Sequence, residues 1–253
     1  MPTIIACFKW VVDEAYIRQG SSGELDFSSV DHKISDYDRN AIEEAAQLKE
    51  TLDGNAIAVT VGVPAASKGV KDALSRGTDQ AYFAADDSFG SLDASQTSSI
   101  LAEVIRTRID SYDLIVCGEG SGDLYAHQVG PRLAENLGIP CVSFVQKISI
   151  GGGQLTAERK TEEGIEVIAA PLPAVVTVLP DINIPRIPGV KDTLMAGKKP
   201  VTTIKKDELQ PVGKVLLRTI GLTASRLERN CERFGTEAAD ISRFAGVLRK
   251  FLS

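Results

Sequence analysis

Residues Asp113 to Gly138 read DLIVCGEGSGDLYAHQVGPRLAENLG, and this stretch decides the fold. Leu114 to Cys117 is a short apolar run of the kind that forms a strand buried on both faces. Gly118-Glu119-Gly120-Ser121-Gly122-Asp123 follows, a turn crowded by few side chains. A helix comes next, with apolar positions at Val129, Leu133 and Leu137 and a stop at Gly138 and Pro140. Strand, glycine-rich turn and helix together offer free backbone N–H groups and a positive helix end to a phosphate. The pattern points to a bound nucleotide, although an ordinary tight βα turn has the same grammar.

Working outward, strand and helix alternate through the first two-thirds of the chain. Thr3–Val11 reads as a strand and Glu24–Phe27 as a short extended piece after the turn at Gly20–Gly23. Asp38 to Leu52 reads as a helix with Ala41, Ile42, Ala45, Ala46 and Leu48 on one stripe. Ala56–Val61, a helix from Pro64 to Arg76, Gln80–Ala84 and a helix over Leu92–Ile109 continue the rhythm. This predicts a mainly parallel, doubly wound α/β sheet of Rossmann-like type, covered on both faces. After Pro140, Val142–Ile150, Gly151-Gly152-Gly153 and Leu155–Arg159 read as strand, turn and strand, an antiparallel ribbon added to the sheet. Ala174–Val178 is a further core strand. Ile182 to Pro200 carries three prolines and several basic residues, which predicts an extended surface segment ahead of a short helix near Asp192–Ala196. From Val201 onward no strand–helix alternation is read. Ser225-Arg226-Leu227-Glu228 has capping-box spacing. Thr236 is placed to cap a last helix with Ile241, Phe244, Ala245, Leu248 and Leu252 on one face.

Composition bounds the function. The 253 residues are 43% hydrophobic and 25% charged, the balance of a soluble globular protein. A formal net charge of -6 argues against a general nucleic-acid binder. The charge is uneven: 13 of the 28 basic residues but only 7 of the 34 acidic ones lie from Lys191 onward. No apolar run approaches a membrane span, and Thr3–Cys7 reads as a first strand rather than a leader, so no membrane insertion is expected. Cys7, Cys117, Cys141 and Cys231 form no C-x-x-C pair, and neither His32 nor His127 has a partner at ligand spacing. A cytoplasmic protein without a metal site is the expectation.

Several segments in order carry a family resemblance: Lys9 after the first strand, ISDYDRNAIEEA from Ile34 to Ala45, ALSRGTD from Ala73 to Asp79, Gly118 to Gly130, Ala157-Glu158-Arg159, PLPAVVTV from Pro171 to Val178, INIPRIP from Ile182 to Pro188, and Lys198-Lys199-Pro200. The set resembles the β subunit of electron transfer flavoproteins. The version SGDLYAHQVG over residues 121–130 is similar to the bacterial anaerobic branch linked to fatty-acyl or carnitine-type metabolism. The resemblance implies an adenine-nucleotide-binding domain over residues 1–200, with a recognition loop at 182–199, and a C-terminal arm over 201–253 that docks on a partner subunit. It implies an electron carrier rather than an enzyme, paired with an α subunit that carries most of the FAD site. This chain would hold AMP or, in electron-bifurcating members, a second FAD. An acyl-CoA dehydrogenase-like flavoenzyme is the implied electron partner.

Carried over position by position, the resemblance places Cys7 and Lys9 where the first strand meets the nucleotide, Ser35, Asp36, Tyr37 and Asp38 beside the adenosine, and Val61 in the same pocket. Gly118, Glu119, Gly120, Ser121, Gly122, Asp123, Leu124, Tyr125, Ala126, His127, Gln128 and Val129 match the loop that wraps the phosphates. Read as residues, Asp123 can fix that loop while N–H groups from Leu124 to Gln128 face phosphate. Asp36 and Asp38 are equally placed to cap a helix. Tyr125 can stack on a ring or close the loop. Val190 falls at the family's partner anchor, followed by Lys191 where proline is common. Lys160 stands where an acidic residue is common. The runner-up reading is an ATP-binding or hydrolysing protein of the related fold. That chemistry calls for a basic residue at the γ-phosphate, and none lies between Gly118 and Val129.

Overall fold

The computed structural model describes residues 1–252 apart from 21–23, 211, 212, 214, 216, 218 and 225–230. The capping-box reading at Ser225–Glu228 therefore lies outside the described residues. The chain divides into two compact units, one of residues 1–18 with 26–220, the other of 19–25 with 221–253.

The strands are β1 Thr3–Cys7, β2 Trp10–Val12, β3 Arg18–Gln19, β4 Leu25–Asp26, β5 His32–Ile34, β6 Asn55–Gly62, β7 Gln80–Ala85, β8 Leu114–Gly118, β9 Cys141–Gly151, β10 Gln154–Thr161, β11 Gly164–Pro171, β12 Ala174–Val178 and β13 Val201–Lys205. The α-helices are α1 Asp36–Leu52, α2 Ser67–Ser75, α3 Ala94–Arg108, α4 Val129–Leu137, α5 Val190–Ala196 and α6 Ala238–Leu252. Nine strands form one sheet in the order β11-β10-β9-β12-β8-β1-β6-β7-β13. From β9 to β13 across the sheet neighbours run parallel, while β10 and β11 are the antiparallel ribbon. A small antiparallel ladder joins β2 to β5. The doubly wound sheet with an added ribbon and a terminal helix is the architecture that the alternating pattern predicts.

Period-2 alternation in the central strands sends side chains to two separate cores. Ile4, Ala6, Leu114, Val116 and Val176 meet Ile42 and Ala45 of α1, Val70 and Leu74 of α2, and Ala196 of α5. Ile5, Cys7, Ile115, Cys117 and Val175 meet Ile100, Val104 and Ile105 of α3 and Leu133 of α4 on the other face. Burial on both faces explains why these strands read as unbroken apolar runs.

Three sequence readings are corrected. Thr3–Val11 is not one strand: it breaks after Cys7, where the Phe8 N–H turns to the Val59 carbonyl and the Lys9 N–H to Asp38. The region after Pro200 is not free of strands, because Val201–Lys205 pairs in parallel with Ala81–Ala85 and closes the sheet edge. Its alternation buries Ile204 against the α3 face. In the second unit, α6 starts at Ala238 rather than directly after Thr236, and the Asp240 carboxylate accepts the Gly235 N–H. Ile241, Phe244, Leu248, Phe251 and Leu252 are all exposed.

Candidate functional site

The strand order creates a switch point between β1 and β8. After β1 the chain passes to α1 on one face; after β8 it passes to α4 on the other. The connections diverge at the carboxyl ends of these strands and leave a crevice, the place where open α/β sheets bind ligands. Cys7, Lys9 and Ser35–Asp38 line one side, Gly118–Gln128 the other.

Asp38 joins the two sides. One carboxylate oxygen accepts the Lys9 N–H at 2.8 Å and the other accepts the Gly118 N–H at 3.2 Å. Burial pushes its carboxyl up to about 7, against the pull of these two N–H groups and of the Lys9 ammonium. Ser35 precedes α1, but its hydroxyl does not cap that helix; it accepts the Gly122 N–H at 3.2 Å. Asp36 is exposed and pairs with Lys33 and Arg39, so it faces away from the loop. The Lys9 ammonium bonds the Asp123 carboxylate across the crevice. Burial works to raise the Asp123 carboxyl, but Lys9, joined by Ser121 and the Leu124 N–H, holds it below the usual range.

The loop is closed by its own side chains. Asp123 accepts the Leu124 N–H, and Ser121 O accepts the Tyr125 N–H at 2.9 Å. These two N–H groups are thus engaged within the loop. The Tyr125 hydroxyl donates to Glu119 at 2.6 Å, and that bond raises its phenol pKa. Glu119 itself is buried. The Tyr125 ring sits 5.0 Å from Tyr37 and 4.1 Å from His127, and His127 lies 5.7 Å from Phe144. Tyr125, His127 and Phe144 all hold left-handed backbone, with φ of 46°, 54° and 60°. Such strain in non-glycine residues collects at functional sites. The buried Nδ1 of His127 has no hydrogen-bond partner among the described residues.

Ala126 is exposed, and Gln128 precedes α4 with its side-chain oxygen accepting from Arg132 Nε at 3.1 Å. Val129 opens α4, where the Val129 and Gly130 N–H groups precede the first intrahelical bond, Pro131 has no N–H, and the Arg132 N–H goes to the Gln128 carbonyl. Cys7 and Cys117 are buried beneath the crevice, and the Cys117 thiol is pushed up first by its contact with Cys7 and then by burial. Val61 is half-buried near the end of β6.

Glycines set the approach. A Cβ on Gly118 would stand 2.6 Å from Asp38 Oδ1 and 2.8 Å from the Tyr37 backbone. One on Gly120 would meet the Tyr125 ring at 2.6 Å, and one on Gly130 would meet Thr177 Cγ2 at 2.4 Å, whereas Gly122 faces open space. Phe144 was not legible as a site residue. It sits at a bulge where β9 slips against β12, and its N–H is caught by Thr177 Oγ1 at 3.2 Å.

A second, open cavity of about 780 Å³ lies farther along the same sheet end, lined by Pro64, Asp86, Asp87, Lys205, Lys206 and Leu209 among others. Among the described residues no glycine lines it. The switch point is therefore the better candidate, despite being filled by Tyr125.

Val190 and Lys191, read as partner-binding, lie away from the crevice. They open α5 in the connection from β12 to β13, and Val190 is 81% exposed. Ile184, Ile187 and Leu194 are exposed beside it.

The class this defines is a doubly wound α/β protein with a glycine-lined loop at its switch point. Residues 23–209 match the electron transfer flavoprotein domain, which is most of the chain, and the chain belongs to that family. Its members are flavin-associated electron carriers rather than catalysts. Among the described residues no helix is long and apolar enough to cross a membrane, and no group of metal-binding side chains is present.

Proposed function

We propose that this chain is the β subunit of a heterodimeric electron transfer flavoprotein, and that its switch-point crevice holds an adenine nucleotide, either AMP or a second FAD. The single observation that carries the reading is the meeting of Lys9, Ser35, Asp38 and the Gly118–Gln128 loop at the β1/β8 switch point. The residues fit such a ligand: Gly122 leaves its backbone open, glycines at 118, 120 and 130 let Asp38, Tyr125 and Thr177 pack close against the loop and α4, the Val129 and Gly130 N–H groups open α4, and Lys9, paired with Asp123, supplies a cation. A bound flavin supplies the electron-transfer chemistry itself. The chain's own residues bind and orient. Lys9 and the α4 N-terminus would face phosphate, and His127 Nδ1, without a partner among the described residues, lies at the loop's far end. Tyr125 must turn from Gly120 for a ligand to reach that backbone.

The segment 182–199 is proposed to dock an acyl-CoA dehydrogenase-like flavoenzyme through Val190, and the region beyond residue 205 to reach the α subunit. The bacterial anaerobic branch and a cytoplasmic setting belong to the same reading. The test is purification with co-expressed α-type partner, followed by denaturation and chromatography of the released nucleotides. A flavin-coloured complex of two unlike chains carrying AMP, or FAD in excess of one per heterodimer, is expected. A colourless homodimer that hydrolyses ATP would overturn the reading.

A further inference from the structure

We propose that Asp38 is a positioning residue that ties the two sides of the crevice together, and that it does so only as the carboxylate. Closure of the site then follows the protonation of one side chain. The inference rests on the nucleotide reading for its consequence, but its geometry stands apart from any ligand.

Asp38 does not serve its own helix. Ser35 holds the N-cap position of α1, and the Asp38 side chain points instead to backbone N–H groups of two other elements, Lys9 after β1 and Gly118 at the end of β8. The residue is 7% exposed. Its Oδ1 also takes the room that a side chain at position 118 would need. These two N–H groups belong to strands whose onward connections run to opposite faces of the sheet. A single carboxylate therefore links Lys9 to the first residue of the loop, beside the Lys9–Asp123 pair and the Ser35–Gly122 bond.

The chemistry makes this contact depend on charge. An ionised carboxylate accepts at both oxygens. A carboxylic acid carries a proton on one oxygen, which then opposes an N–H rather than accepting from it, so one of the two bonds is lost or weakened. The groups that face Asp38 are the Lys9 ammonium from the end of β1, Asp123 from the loop, and the Cys117 thiol from β8. Lys9 favours the charged form; Asp123 and burial oppose it, which places the titration near neutrality rather than in the acid range.

The test uses the full chain and its Asp38→Asn variant. Hydrogen exchange of the Lys9 and Gly118 amides is followed from pH 5.5 to 8.5 and corrected for intrinsic rates. In the wild type, protection of one of the two amides should fall roughly tenfold as pH drops through neutrality, the size of one lost hydrogen bond. In Asp38→Asn, whose amide nitrogen cannot accept, one amide should be unprotected at every pH. FAD serves as the binding probe, because its diphosphate does not titrate in this range. Its dissociation constant should rise about fivefold from pH 8.5 to 6 in the wild type and stay flat in the variant.

Equal protection across the pH range in the wild type would overturn the proposal, and this arm needs no variant to fold. So would a variant with the wild-type profile. If the amides titrate but FAD does not bind at any pH, the clamp stands and FAD is removed as the ligand. If FAD binds while the amides stay pH-flat, the clamp falls and the nucleotide reading survives.

Discussion

Asn40 and Asn183 bond each other in both directions: Asn40 Nδ2 donates to the Asn183 carbonyl at 2.9 Å, and Asn183 Nδ2 donates to the Asn40 carbonyl at 3.1 Å. Asn40 Nδ2 also reaches Pro180 O, and Asn183 Nδ2 reaches Glu44. One turn farther along α1, Glu43 takes the Arg186 guanidinium at 2.8 Å and the Arg186 N–H at 3.0 Å. Helix α1 thus carries Asp38 in its first turn and the footing of the 182–189 segment in its next two. Removing the Asn40 amide takes away the donor that the part-buried Pro180 and Asn183 carbonyls share. Asn40→Ala should cost about 1–3 kcal/mol and raise protease cleavage within 182–189. Unchanged cleavage and unfolding midpoint would show that the prolines alone hold the segment.

The Arg186–Glu43 pair gives a pH prediction with a definite sign. Burial works to raise the Glu43 carboxyl, but Arg186 outweighs it and holds it below its ordinary value. A carboxyl lowered on folding stabilises the fold fully above the ordinary carboxylate range and ceases to as pH falls through its lower folded value. Arg186→Ala should therefore be less stable than wild type at pH 7, with the gap closing below pH 4. Denaturant titrations at pH 7 and pH 3.5 check this; a gap of constant size would assign the loss to packing alone.

A glycine of the loop and one of α4 should behave differently. Gly122→Ala places its Cβ in open space, so the free fold should be intact and any loss of nucleotide would report on the ligand. Gly130→Val drives a side chain into Thr177 at the α4–β12 contact and should cost about 1–3 kcal/mol. Thermal unfolding together with nucleotide content separates the two effects. Equal destabilisation by both variants would contradict the geometry.

Partner docking should depend on the exposed apolar residues of the 182–199 segment. Val190→Ala removes two methyl groups, and burial at about 25 cal/mol per Å² suggests a loss on the order of 1 kcal/mol, several-fold in half-saturation with the cognate flavin dehydrogenase. Leu194→Ala, one helical turn away, should act in the same direction. The flavin spectrum should not change with either. Unchanged kinetics would remove the anchor, and flavin loss would show that the segment serves the cofactor.

Deleting Thr223–Ser253 should leave the nine-stranded sheet folded and weaken assembly with an α-type partner. No residue of α6 is buried, and its apolar side chains lie exposed. Circular dichroism and co-purification read the two halves of the prediction. A truncated chain that assembles as tightly as the whole would end the idea of an arm.

The sheet was largely legible because its central strands are apolar on both faces and its helices are punctuated by glycine and proline. Ala174–Val178 was read to the residue, and α4 to within its capping glycine. What stayed hidden was decided by distant partners. The break after Cys7 depends on Asp38, and β13 depends on a ladder with β7 formed far earlier in the chain. The same holds at the site. The loop was visible as glycines, but not its closure by Tyr125 on Glu119, nor the turn of Phe144 toward His127. Left-handed backbone at tyrosine, histidine and phenylalanine has no local sequence signal.

The edge strand β13 has a mechanical consequence. Because the chain returns to the sheet at Val201, the connection that bears Val190 is moored at both ends, in β12 near the middle of the sheet and in β13 at its edge. It is a closed span rather than a dangling tether. Much of the freedom that a loose peptide would surrender on docking is already gone. If the segment docks a partner as proposed, a pull at Val190 reaches the sheet at both moorings, through the ladders of β12 with β8 and β9 and of β13 with β7.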